Sequence, residues 1–102
     1  MSETGFKRIE FVTEELRARQ ITDILDKAGA TGWTMLPVLS GKGHRGVRQG
    51  GDPSGISDSV MIVAIASAAH AQNIMAKSEV ILSGRTAIFA MSDVTLIRKD
   101  RF

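Results

Sequence analysis

No cysteine and no tyrosine occur among the 102 residues of this chain; tryptophan occurs once and proline twice. Without cysteine neither a disulfide nor a thiolate-bound metal can hold the fold, so stability must come from packing. The two histidines, His44 and His70, are far apart and have no cysteine partners, so their spacing implies no zinc or copper site. Net charge is small too, with 13 Lys and Arg against 11 Asp and Glu, a formal +2. A weak global field and scarce stacking aromatics argue against nucleic acid as a partner. No apolar run reaches the roughly 18 residues of a membrane span, and the polar segment Met1–Lys7 has no apolar stretch of signal-peptide length. The expectation is a cytoplasmic protein with no membrane span. No G-x-S-x-G elbow, Ser/His/Asp arrangement or pair of carboxylates in a cleft can be read from the spacing, so no catalytic residue is nominated and the chain is expected not to be an enzyme.

What is present fits one small domain over residues 1–102. With 43% hydrophobic residues the chain can form a core. At this size much surface stays exposed, and self-association is a common way to bury more. Phe6–Val12 alternates Ile9 and Phe11 against Arg8 and Glu10, the pattern of a half-buried strand ending near Thr13. From Glu14, the residues Ala18, Ile21, Ile24, Leu25 and Ala28 recur at helical spacing, with Thr13 as the expected N-cap and Gly29 as the stop. Leu16 falls off that apolar stripe. Trp33–Leu39 reads as a second strand, and Pro37, which cannot donate to a ladder, places it at a sheet edge. Ser59–Ala66 is apolar without alternation, as in a central strand with helices on one face and a second cover, such as another subunit, on the other. Ala69–Ser83 has helical spacing and is followed by Gly84. Thr86–Met91 and Val94–Arg98 read as two closing strands around a turn at Ser92 and Asp93. The fold class expected is therefore α/β (α+β), a ferredoxin-like βαββαβ unit with an extra short C-terminal strand.

Between strands two and three, Ser40–Asp58 holds six of the ten glycines together with Lys42, His44, Arg45 and Arg48, and has no hydrophobic period. Loops of this length inside compact domains are uncommon and usually functional or disordered. Its glycines allow backbone N–H groups to turn inward as an anion-binding nest, and Lys42, Arg45 and Arg48 add positive charge. A small anion such as a phosphate or carboxylate is the partner this chemistry suits; a solvated loop without a ligand is the plain alternative. Gly41, Gly43 and Gly46 match G-x-G-x-x-G in form, but the motif does not open a helix in a parallel βαβ unit, and no Walker A loop occurs. Ser83, Gly84 and Arg85 make a second small glycine-basic turn. Arg98, Lys99 and Arg101 form a basic end that in an oligomer could reach a neighbour's ligand.

Four stretches in order carry a resemblance: KRIEFV leading into an amphipathic helix, AGATGWTM, GKGHRG, and SGRTAIF followed by VTLIRKDR. Their order and spacing over nearly the whole chain resemble the PII signalling family, and within it the PII-like proteins associated with carboxysomes and bicarbonate uptake. The resemblance implies a ferredoxin-like homotrimer that binds adenine nucleotides in clefts between subunits, the long loop reporting occupancy to a bicarbonate transporter or carboxysome component. By motif position it puts Gly32 and Thr34 near the adenine and Gly41, Lys42 and Gly43 at the loop base near phosphate. It puts Gly84 and Arg85 in the second loop, and Arg98 and Arg101 at the closing end. Bicarbonate is implied as a further ligand of Ser40, Gly41, His44, Arg45 and Arg48, with no metal and no cofactor. Three departures bear on the ligand. The absence of tyrosine removes loop-tyrosine uridylylation. His44 and Arg45 stand where the family typically has Arg then Gln, which argues against magnesium-ATP with 2-oxoglutarate. The second loop lacks G-D-G-K, which shifts the expected preference from ATP to ADP or AMP. Two other readings are a metal-responsive trimer resembling the CutA family and a small enzyme that uses the loop as a phosphate lid.

Overall fold

The computed structural model describes residues 3–43, 46–49, 58–83 and 87–98. Strand β1 (Glu3–Glu14) leads through a 3₁₀ turn (Glu15–Arg17) into helix α1 (Ala18–Lys27). Then come β2 (Trp33–Pro37), β3 (Ser40–Gly43), β4 (Gly46–Gln49), β5 (Ser59–Ser67), helix α2 (Ala68–Leu82) and β6 (Ile88–Leu96). Four strands form one antiparallel sheet in the order β2-β5-β1-β6, and β3 pairs with β4 in a separate two-stranded sheet. With that hairpin set aside, the order is the ferredoxin-like βαββαβ arrangement anticipated from the sequence, with β2 at an edge. Val38 N–H donates to Ser59 C=O at 3.0 Å. Because bonded pairs alternate along an antiparallel ladder, Pro37 falls where an N–H would point away from β5, so its missing donor breaks no bond.

Period-two alternation sorts the sheet into two faces. Ile9 and Phe11 of β1 pair with Ala64 and Ile62 of β5 on the side covered by the helices, where Ile21, Leu25 and Ile74 are also fully buried. Phe11 meets Phe89 edge to face, with ring centroids 4.7 Å apart and an interplanar angle of 82°, a geometry worth about 0.5–1.5 kcal/mol beyond the area it buries. Gly29 ends α1 in the left-handed region at φ 99°, as its place after the stripe foretold. Ser67 caps α2 by accepting the His70 backbone N–H at 3.3 Å.

Five local expectations are corrected. Thr13 is not a helix cap: it stays in β1, buried, because the ladder with β5 runs on to Glu14 opposite Ser59 and Glu15 N–H then donates to Asp58 C=O. The α1 N-cap is Arg17, with no side-chain cap bond, and Leu16 is exposed in the 3₁₀ turn. Ser92 and Asp93 make no turn; they sit inside one continuous β6, opposite Arg8 and Lys7, where Asp93 is ion-paired to Lys7. The segment read as an extra terminal strand, Val94–Arg98, is thus the end of β6 and the residues just beyond it. The segment read as one long loop begins instead as the β3–β4 hairpin; residues 50–57 lie outside the described set. Finally, β5 does alternate: Val60, Ile62, Ala64 and Ala66 are buried beneath the helices while Met61, Val63 and Ile65 are half-buried on the opposite face.

Candidate functional site

The face of the sheet turned away from the helices has register rows that can be read straight across. One row runs Leu36, Met61, Val12, Ile88 across the order β2-β5-β1-β6, and the next runs Thr34, Val63, Glu10, Ala90. Leu36 and Ile88 are exposed, and no described element of the chain lies over this face. The apolar row lies at the end of the sheet where β2 runs on toward the β3–β4 hairpin and where the chain re-enters the sheet at β6. It offers a flat apolar support, and Thr34 adds a hydroxyl one row inward. That combination suits a planar group with polar edges.

The sequence-predicted residues are distributed unevenly around it. Thr34 is exposed on this face, and Gly32 is exposed just before β2. Ser40, Gly41 and Lys42 are exposed in β3, which also contains Gly43. Gly41 pairs with Arg48 and Gly43 with Gly46 in the hairpin ladder. Neither Gly32 nor Gly41 has a positive φ, and a Cβ on either would meet nothing within 4 Å. The expected nest of inward-turned amides is therefore not formed at Gly41, whose backbone is extended in a ladder. His44, Arg45, Gly84, Arg85 and Arg101 lie outside the described residues.

Arg98 is exposed two residues beyond β6, at the opposite end of that strand from Ile88. Nine strand residues span roughly 27 Å, so Arg98 is not brought to the apolar row within one chain. Sequence reasoning missed the row itself. The signal was present, since alternation that puts Ile9 and Phe11 under the helices must put Val12 on the other side.

A second concavity lies on the helix side, between the C-terminal half of α2 and the start of β6, lined by Met75, Glu79, Leu82, Ser83 and Phe89. Of the predicted site residues that are described, none lines it. Among the described residues no group of three or more His, Cys, Asp or Glu side chains could hold a metal ion. Among the same residues no helix is long and apolar enough to cross a membrane.

Comparisons with known proteins bear on both fold and site. No curated protein sequence matches significantly. The solved structure of CPII, a nitrogen regulatory PII-like protein from Thiomonas intermedia K12 bound to ADP, AMP and bicarbonate, superposes with a TM-score of 0.88 at 23% identity, covering 100% of this chain and 96% of that one. A protein of Thermus thermophilus described as PII-like signaling gives a TM-score of 0.80 at 22% identity, covering 99% and 97%. CutA from Synechococcus elongatus PCC7942 shares the fold at a TM-score of 0.73 but only 6% identity, covering 100% and 94%. The sequence model of the nitrogen regulatory protein P-II family matches residues 6–101, and with the βαββαβ sheet this establishes that the chain belongs to the P-II family.

Proposed function

We propose that residues 1–102 form one domain of a cytoplasmic, non-enzymatic regulatory protein. It assembles as a homotrimer, binds an adenine nucleotide in clefts between subunits with ADP or AMP preferred, and takes bicarbonate as a second ligand. Nucleotide and bicarbonate stabilise an ordered arrangement of the segment that begins with the β3–β4 hairpin, and a bicarbonate transporter or carboxysome component reads that arrangement, as an order–disorder switch requires.

The observation that carries this reading is the β2 margin of the uncovered sheet face, where Thr34 and Leu36 are exposed next to the glycine-rich hairpin, beside the part of the face that a neighbouring subunit would cover. An adenine ring needs a flat apolar support and a hydrogen-bonding side chain at its edge, and both are there. The open space around Gly32 and Gly41 adds support, since glycine at an unstrained exposed position makes sense where something from outside the chain comes close. CPII, with the same fold, is bound to ADP, AMP and bicarbonate. Arg98 and Arg101 enter this reading as residues a neighbouring subunit contributes, in keeping with the distance of Arg98 from the apolar row.

Calorimetric titration with AMP, ADP and ATP, each with and without bicarbonate, tests the proposal. ADP or AMP is expected to bind more tightly than ATP, with an affinity that shifts when bicarbonate is present. Absence of heat for all three nucleotides would remove the function and leave the fold intact.

A further inference from the structure

Arg8 and Glu10 are out of place on the uncovered face. From Phe6 to Val12 they are the only ionisable side chains there: Arg8 lies between Ile65 and Ser92, and Glu10 between Val63 and Ala90. Lys7 and Asp93 belong to the helix side and are paired with each other, while Glu14 stands at the far end of β1. Arg8 Nε comes within 3.0 Å of Glu10 Oε1, with 43% and 34% of the two side chains exposed. Yet Nε itself is buried and makes no aligned hydrogen bond. In a single chain both side chains keep part of their surface in water. Once the face is covered they lose that water, and a purely apolar cover would leave two charges desolvated with one poorly aligned contact between them.

A second copy of this chain is the cover that carries the complement, because it brings a Glu10 for every Arg8. We propose that Arg8 of each subunit pairs with Glu10 of its neighbour. The pairs form a closed ring across the assembly that fixes the rotational register of a largely apolar face. The inference rests on the trimeric reading above. The contact is heterologous: each chain gives Arg8 to one neighbour and receives an Arg8 at Glu10 from the other, and the ring closes after three steps. Such charges would contribute to specificity of association, rejecting partners that lack the complement.

Arg8→Glu and Glu10→Arg test the ring, with sedimentation giving the mass and native mass spectrometry the composition. Each single variant is expected to dissociate at least about tenfold more readily than the parent, the range seen when one partner of a close interfacial charge pair is changed. Far-ultraviolet circular dichroism checks that each variant keeps its fold. Mixing the two variants separates a bond between subunits from one within a chain, since every chain in the mixture carries like charges at positions 8 and 10, both acidic in one variant and both basic in the other. Only contacts between unlike chains regain opposite charges. Mixed trimers should therefore be enriched beyond the statistical ratio, with two of their three contacts restored. The double variant, which regains all three, should match the parent. Single variants that assemble as tightly as the parent, or a mixture that follows statistics, would overturn the pairing while leaving the trimer in place. A parent that sediments as a monomer would overturn the trimeric reading and the pairing with it.

Discussion

At Gly29 two constraints coincide. Its φ of 99° lies where a Cβ is strained, and a Cβ there would come within 2.9 Å of three atoms of the His70 ring, which packs the start of α2 against the end of α1. Gly41 faces neither constraint. Gly29→Ala is expected to cost about 1–2 kcal/mol from the backbone alone, and more where His70 cannot move aside. Gly41→Ala should stay within about 0.5 kcal/mol of the parent or gain slightly through the unfolded chain. Urea unfolding of both variants at one protein concentration checks the contrast. Gly29 was legible in the sequence because it follows the last apolar position of a helical stripe. Thr13 was not, since a threonine before two glutamates makes a good cap and only its pairing opposite Val60 holds it in the sheet.

Among the elements, the β3–β4 hairpin stands apart. Among the described elements β3 and β4 pack substantially only on each other, and a lone two-stranded ribbon is at best marginally stable in water. In hydrogen exchange without ligand, the amides of Ser40–Gly43 and Gly46–Gln49 are expected to exchange far faster than those of β1 and β5, and to slow when nucleotide is bound. Exchange as slow as in the central strands would mean the hairpin is held by something other than its own ladder. Its existence escaped the sequence reading because glycine-rich strands carry no side-chain period, while the backbone ladder between Gly41 and Arg48 needs none. The single β6 escaped for the opposite reason. Ser92 and Asp93 have strong turn chemistry, but cross-strand pairing with Arg8 and Lys7 outweighs local preference. The two helices and β1 were legible because burial on one face writes itself into the spacing, whereas β2 and β5 were legible only as short apolar runs. The candidate site was legible only as residue types near two loops, since the row that joins Val12, Leu36, Met61 and Ile88 comes from four strands distant in sequence.

For the molecule as a whole, the sheet has one face buried by helices and one left half-buried in a single chain. If copies cover the second face, folding and association are linked, and stability depends on concentration. The midpoint of thermal unfolding should then rise as protein concentration is raised over two orders of magnitude, whereas a self-sufficient monomer would keep one midpoint. Face-to-face association leaves open what happens at the sheet's outer margin. There β2 is apolar and exposed on both sides, the kind of strand onto which further chains can add. Pro37 removes a donor from that margin at a position facing outward, so an incoming strand would lack one bond of its ladder. The same proline that costs β2 nothing inside the sheet thus acts as a terminator outside it, favouring a closed assembly of fixed size over an open-ended fibre.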